Sequence, residues 1–108
     1  MQTIWIKEDP LNNILSGKKK IEGRLNKGLF KNLSPNDKVR FCSKNKSCIA
    51  IITKIKAYKN FRELLNYNLT DVLPNVSTIN EGVIKYNKYY SVEKEYKYGI
   101  LGIHIEVI

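Results

Sequence analysis

The feature that most constrains the fold is a pair of long segments with the alternating pattern of β-strands. Residues 47–58 begin with a fully apolar stretch and then alternate between apolar residues and lysine. In residues 99–108, apolar residues recur at every second position from Leu101 to Val107. Because neighbouring residues of a strand point to opposite faces, both segments are predicted to turn one face towards a core. In the second segment the residues predicted to face inward are Leu101, Ile103, Ile105 and Val107.

Three shorter strands are predicted from residues 3–7, 20–25 and 38–42, the last after a turn signal at residues 34–37. Helices are inserted between the strands at irregular intervals. This pattern favours an α+β, mainly β fold: a partly open β-barrel with helices packed beside it, instead of a parallel α/β sheet. No linker, repeat or low-complexity tract interrupts the chain, so residues 1–108 are expected to form one domain.

Helix boundaries are predicted from residues that can satisfy free backbone groups. Asp9 is expected to cap a first helix with Pro10 at its first position, and Gly17 suits the left-handed residue that ends it. Two later helices are predicted after the capping pairs Asn60/Glu63 and Thr78/Glu81. On the last helix Tyr86 and Tyr90 share a face with Ile79 and Val83, which predicts core packing for both tyrosines.

The net charge of +9 predicts an anionic partner. Most of the positive charge is lysine, since arginine occurs only at positions 24, 40 and 62. Lysine is a flexible point charge that attracts phosphate, so a nucleic-acid backbone is the expected partner. The alternative is a lysine-rich surface that only keeps the protein in solution.

Several classes of protein are not expected. The longest apolar run, residues 48–52, is far shorter than the ~20 residues of a transmembrane helix, and the N-terminus does not resemble a signal peptide, so a cytosolic or nuclear location is expected. Cys42 and Cys48 could face each other across a hairpin, but free thiols are expected in a reducing compartment. Two cysteines and one histidine fall short of a four-ligand zinc site, and no metal or cofactor is expected.

Residues 17–24, Gly-Lys-Lys-Lys-Ile-Glu-Gly-Arg, carry the strongest functional signal. Glu22 and Arg24 are two apart on a predicted strand, so they share a face about 6.5 Å apart along it. Unpaired charges are too costly to join the core. Two interpretations follow. The residues form a solvated ion pair on the barrel exterior, or they line a groove where the carboxylate accepts a ligand N–H and the guanidinium holds a phosphate or carbonyl.

The spacing of Gly17, Lys19, Glu22 and Arg24 resembles the G-x-K-x-x-E-x-R signature of ASCH domains, which are similar to PUA domains. Further segments resemble the family in order: residues 33–37, with Asn36 where glycine is usual, and residues 58–61, 72–76, 81–83, 86–91 and 98–103. The resemblance implies a PUA-like, partly open β-barrel with helices packed beside it and a cleft that holds RNA or a nucleoside. Lys19, Glu22 and Arg24 would face that cleft and bind the ligand.

The same resemblance leaves a small hydrolase open. One branch of the family resembles an amidohydrolase that deacetylates N4-acetylcytidine with a lysine, a threonine and a glutamate, and another has been linked to RNA cleavage. Lys19 matches the lysine, but Glu22 occupies the threonine position and residues 74–76 offer no carboxylate. If the protein is an enzyme, Lys19 and Glu22 are the catalytic candidates.

Lys20, Tyr89 and Ser91 complete the predicted ligand-binding set. Tyrosines among lysines near the C-terminus can stack bases while the lysines hold phosphates. Ser91 is expected beside Tyr89 at a helix end, without a histidine to activate it. His104 alternates with inward isoleucines and is expected to face outward. RNA or a nucleoside is the expected partner, a monomer is assumed, and an interaction domain with no nucleic-acid role is the third hypothesis.

Overall fold

Five strands form one sheet in the order β1-β3-β4-β5-β2 in the computed structural model, which describes residues 1–108. The strands are β1 (Gln2–Trp5), β2 (Ile21–Leu25), β3 (Lys38–Cys42), β4 (Ser47–Tyr58) and β5 (Ile100–Val107). The helices are α1 (Glu8–Leu15), α2 (Phe61–Val72), α3 (Ile79–Asn87) and α4 (Val92–Tyr98), with a 3₁₀ turn at Gly28–Asn32. None of the helices has the length and apolar character needed to cross a membrane.

The sheet curls so that its two edge strands, β1 and β2, approach each other. β1 pairs with β3 in parallel, and the other three pairings are antiparallel, with a bulge in β4 between Ile52 and Lys54. No backbone ladder joins β1 to β2. Instead Arg24 Nη2 in β2 donates to the backbone oxygen of Trp5 in β1 at 2.9 Å. The predicted fold class is therefore confirmed, and the gap in the half-barrel lies between β1 and β2.

The apolar core lies on both faces of the sheet. One cluster joins α1, β1, β3 and β4 to Leu101, Ile103 and Ile105 of β5. The other packs α2 and Tyr86 of α3 against the opposite face, where it includes Ile100. Val107 was predicted to face inward, but it is largely exposed because it lies at the end of β5, beyond the cluster.

Two paired glycines let α2 lie close to the sheet. Gly23 of β2 is opposite Gly102 of β5. A Cβ atom at Gly23 would lie 2.7 Å from Leu64 Cδ2, and one at Gly102 would lie 3.0 Å from Leu64 Cδ1. Real Cβ atoms essentially never come as close as the 2.7 Å at Gly23, and the 3.0 Å at Gly102 is tighter than nine in ten real contacts, so Leu64 occupies space that the two glycines leave free. This contact fixes α2 beside β2.

The capping predictions are confirmed for two helices and wrong for the first. The side chains of Asn60 and Thr78 accept from the backbone N–H groups three residues ahead, at 2.8 and 3.2 Å. Helix α1, however, begins at Glu8 after an uncapped Lys7. Asp9 therefore lies inside the first turn, where its charge favours the helix dipole without capping a backbone group. Gly17 has the expected positive φ of 79°.

Tyr86 and Tyr90 both pack against the core as predicted, although α3 ends at Asn87 and Tyr90 lies beyond it. The Tyr86 ring stacks on Phe61 with centroids 4.0 Å apart, and the Tyr90 ring lies 5.2 Å from Phe61. Helix α4 was not predicted, because its only buried residue is Glu95 and an apolar stripe is missing. Cys42 and Cys48 are free; they pair across the β3–β4 ladder with Ser47 and Phe41 respectively.

Candidate functional site

A charged triad lies at β2 and just before it. It consists of Lys19, Glu22 and Arg24, whose side chains contact one another in that order. Lys19 Nζ lies 3.2 Å from Glu22 Oε1. The other carboxylate oxygen, Oε2, accepts from Arg24 Nε at 3.1 Å and from Arg24 Nη2 at 3.0 Å. The structure therefore brings together the three residues that the motif singled out, with the carboxylate between the two cations.

Lys19 is held entirely by the protein. Its side chain is buried, with the residue 4% exposed, and Nζ donates to the backbone oxygens of Ile21 at 2.9 Å and Val72 at 2.6 Å. With Glu22, these acceptors account for the three N–H groups of an ammonium. Burial lowers the pKa of Lys19, and attraction to Glu22 offsets only part of that effect. Lys19 thus ties β2 to the end of α2.

Glu22 remains ionised although it is only 5% exposed. Burial by itself would raise the pKa of the carboxyl group, but the charges of Lys19 and Arg24 and the hydrogen bonds from both outweigh burial, so the pKa of Glu22 is lowered. Both carboxylate oxygens are already occupied by these two cations. Glu22 therefore acts on its neighbours and fixes where they point.

Arg24 is the member of the triad that reaches solvent. Its side chain is 19% exposed, and the guanidinium lies 4.9 Å from the centre of the Phe30 ring. Nε and Nη2 are bonded to Glu22 and to the Trp5 backbone, whereas Nη1 makes no hydrogen bond. A guanidinium held on one side and free on the other can present its remaining N–H groups to an acceptor.

The triad lies in the wall of a cleft of about 640 Å³. Residues from β1 and the start of α1 form one side, and the α2–α3 connection and α3 form the other. Trp5 is 69% exposed, and Tyr89 is also exposed. Besides the triad, the lining includes Lys7 and Lys85, the aromatic residues Trp5, Tyr86, Tyr89 and Tyr90, and residues 72–76. Glu8 and Asp9 also line the cleft, so the lining combines charges of both signs, with cations in slight excess, and exposed aromatic rings.

The other predicted ligand-binding residues divide between the cleft and other places. Tyr89 lines the cleft, where Lys7 donates to its hydroxyl; this hydrogen bond, followed by the charge of Lys7, lowers the pKa of Tyr89. Ser91 is exposed and does not line the cleft. Its hydroxyl accepts from Lys94 N at 3.2 Å and caps α4. Lys20 lies outside the cleft too.

Lys20 instead borders a second depression, of about 550 Å³, with His104 and Thr53. His104 lies on the opposite face of β5 from Ile103 and Ile105, as expected, and is partly buried. Burial lowers the pKa of His104, and the charge of Lys54 adds to the effect.

Among the aromatic and basic residues of the lining, sequence reasoning did not assign these to the site: Trp5, Lys7, Lys85, Tyr86 and Tyr90. One local signal could have found Trp5, since it alternates with Ile4 and Ile6 and must turn its large ring away from their side. The others belong to segments that meet β2 only in the folded chain.

The fold and the motif agree with one family of known proteins. The sequence model of the ASCH domain family matches residues 4–108. The chain belongs to the ASCH domain family.

Solved structures support the assignment of this ASCH domain. The hypothetical protein PH0355 is 33% identical, with a TM-score of 0.89 over 99% of this chain and 98% of that chain. Protein PF0455 from Pyrococcus furiosus is 34% identical, with a TM-score of 0.81 over 99% and 96%. The ASCH protein from Zymomonas mobilis shares the fold alone: it is 14% identical, with a TM-score of 0.69 over 98% and 68%. A comparison with curated proteins gave no match.

Proposed function

We propose that this ASCH domain binds RNA or a nucleotide in the cleft beside Arg24. The observation that carries the proposal is the partly exposed guanidinium, which the buried Glu22 holds in place at a cleft with exposed aromatic rings. A planar guanidinium with free N–H groups suits a phosphate. Exposed rings such as those of Trp5 and Tyr89 suit stacking with bases of any sequence.

The charge distribution supports the same ligand class. The protein carries a net charge of +9. In the cleft, Lys7 and Lys85 balance Glu8 and Asp9, and the charged triad leaves one positive charge in excess. An excess of positive charge attracts polyanions and accelerates their encounter. ASCH domains, with their PUA-like fold, are in general associated with RNA, which agrees with a single-stranded RNA segment as the ligand.

In this proposal the members of the triad have different roles. Arg24 contacts the ligand, whereas Lys19 and Glu22 orient Arg24 through the buried ion pairs. This differs from the expectation that all three contact the ligand, because every N–H group of Lys19 already has a protein acceptor. Tyr89 lies in the cleft with Trp5, and Lys20 and Ser91 have no part in the proposed contact surface.

The test compares Arg24→Gln with Arg62→Gln, since each removes one positive charge and Arg62 is an exposed residue of α2 outside the cleft. Fluorescence anisotropy with a short labelled single-stranded RNA between 50 and 200 mM salt measures affinity. We expect Arg24→Gln to weaken binding by about 10-fold or more, the loss typical of a hydrogen bond to a charged group. The slope of log affinity against log salt should become shallower by about 0.7. Equal behaviour of the two variants would contradict the proposal.

A second candidate function is hydrolysis of RNA or of a modified nucleoside. One observation favours it: burial lowers the pKa of Lys19 beside a carboxylate, as in many active sites. The three bonds that hold Nζ weigh against direct proton transfer by Lys19. Mass spectrometry of the same RNA samples, and of samples with N4-acetylcytidine, separates the candidates. Product formation by the wild type that is lost in Lys19→Met would show that the protein is an enzyme and not only a binding domain.

A further inference from the structure

Tyr86 presents an unpartnered hydroxyl to the cleft. The residue is 9% exposed, and its ring is fixed by stacking on Phe61 at 4.0 Å with the planes 8° apart. The hydroxyl makes no hydrogen bond with the protein, yet no fully buried side-chain oxygen or nitrogen lacks a partner. The hydroxyl is therefore not enclosed, and the cavity that Tyr86 lines is the cleft.

The backbone of Gly23 supplies a second unpartnered group at the same place. Lys20 O accepts from Ile105 N, and Asn26 N donates to Gly99 O, so the even-numbered residues of this segment bond to β5. In an antiparallel pair the intervening residues turn their backbone groups to the other side. The contact of Lys19 Nζ with Ile21 O lies on that free edge. Gly23 N–H therefore points away from β5, on the edge that borders the cleft.

The two groups are neighbours because position 23 has no side chain. Tyr86 Oη lies 2.9 Å from the point where a Cβ atom of Gly23 would be. Burial, followed by the charge of Glu22, raises the pKa of Tyr86 well above its ordinary value, so the hydroxyl keeps its proton at neutral pH and can donate it. Arg24, the next residue of β2, acts on this hydroxyl in the opposite direction from Glu22, and the effect of Glu22 is the larger.

We infer that the Tyr86 hydroxyl and the Gly23 N–H form a two-donor site on the floor of the cleft that holds a phosphate oxygen of the ligand. Both groups supply hydrogens, and N–H and O–H donors bond more strongly to a charged oxygen than to a neutral one. The inference rests on the proposed function and adds to it the group of the ligand that reaches the floor of the cleft.

The test uses Tyr86→Phe, which removes one oxygen and keeps the ring that stacks on Phe61. Tyr67→Phe is the matched control, because Tyr67 is an exposed residue of α2 outside the cleft. NMR titrations use three probes: uridine, uridine monophosphate and a uridine dinucleotide with one internal phosphodiester. We expect Tyr86→Phe to weaken binding of a phosphate-bearing probe by about 10-fold and to leave uridine unchanged. The Gly23 amide signal should shift with that probe in the wild type.

The outcomes separate this inference from the proposed function. Loss with the monophosphate alone identifies a terminal phosphate, and loss with the dinucleotide identifies an internal one; both support the inference. Unchanged phosphate binding in Tyr86→Phe, with weakened binding in Arg24→Gln, overturns the inference and leaves the proposed function standing. Equal loss with uridine overturns the assignment to phosphate. Failure of the wild type to bind any of the probes or the RNA overturns both.

Discussion

Glu22 is the residue on which the charged triad depends. It is buried, and each carboxylate oxygen contacts one of the two cations. Charges removed from water are costly unless each has a partner of opposite sign. The carboxylate therefore compensates Lys19 and Arg24 together, and no other acidic side chain forms a salt bridge with either.

We predict that Glu22→Gln lowers the free energy of unfolding by about 3 kcal/mol at pH 7, because it leaves two like charges close together and partly buried. Urea unfolding followed by circular dichroism measures the change. Glu106→Gln is the control, since Glu106 is exposed and has no salt bridge. A loss as small as that of the control would show that the triad is not a stabilising unit.

The same comparison has a defined pH dependence. The pKa of Glu22 is lowered in the folded protein relative to its ordinary value of 4.5. Its stabilising contribution is therefore complete above pH 4.5 and is lost as the pH falls through the lower folded value. The difference between wild type and Glu22→Gln should shrink in acid; a constant difference would argue against an ionised Glu22.

At the scale of elements, Glu95 joins three helices that the cleft requires. It lies in α4, and its carboxylate accepts from Phe61 N at the start of α2, at 2.8 Å, and from Asn87 Nδ2 at the end of α3, at 3.0 Å. The residue is buried. One side chain thus fixes the direction in which the chain leaves α3, and Tyr89 and Tyr90 follow directly from there.

We predict that Glu95→Ala destabilises the protein by about 2–3 kcal/mol, because it leaves a buried backbone N–H of α2 without its acceptor. Glu93→Ala, on the exposed side of the same helix, should change stability by less than about 0.5 kcal/mol. Thermal unfolding of both variants provides the measurement. Similar midpoints for the two would mean that α4 does not hold α2 and α3 together.

At the scale of the whole molecule, the two apolar clusters share one sheet. Leu101 and Ile103 of β5 belong to one cluster and Ile100 to the other, so neither cluster persists if β5 leaves the sheet. We propose on this basis that residues 1–108 unfold as one cooperative unit, in agreement with the single domain expected from the sequence.

We predict that Leu11→Ala in one cluster and Leu65→Ala in the other each shift the whole unfolding transition, since both side chains are fully buried. Each should cost about 2–5 kcal/mol. Calorimetry should give equal calorimetric and van't Hoff enthalpies for the wild type. Two resolved transitions, each sensitive to only one of the substitutions, would reveal two independent units.

Much of the fold could be predicted from local pattern. The bounds of β3 and β4 agree with the predicted residues 38–42 and 47–58, because alternation and turn residues act within a few positions of the chain. The caps of α2 and α3 were predictable for the same reason, since a cap bonds to a backbone group three residues away. Helix α4 has no such apolar period, and its one buried residue is a carboxylate whose partners lie in other helices.

The sequence by itself determined the strands, the family signature and the identity of three charged residues, since each is written in the spacing of neighbouring positions. Only the tertiary structure decided that Lys19 is buried and fully bonded while Arg24 reaches solvent. It also decided that Trp5, Lys7 and Tyr86 face the same cleft. The physical reason is that β1 and β2 are the two edges of a curled sheet, and side chains distant in sequence meet across its gap through contacts with no local period.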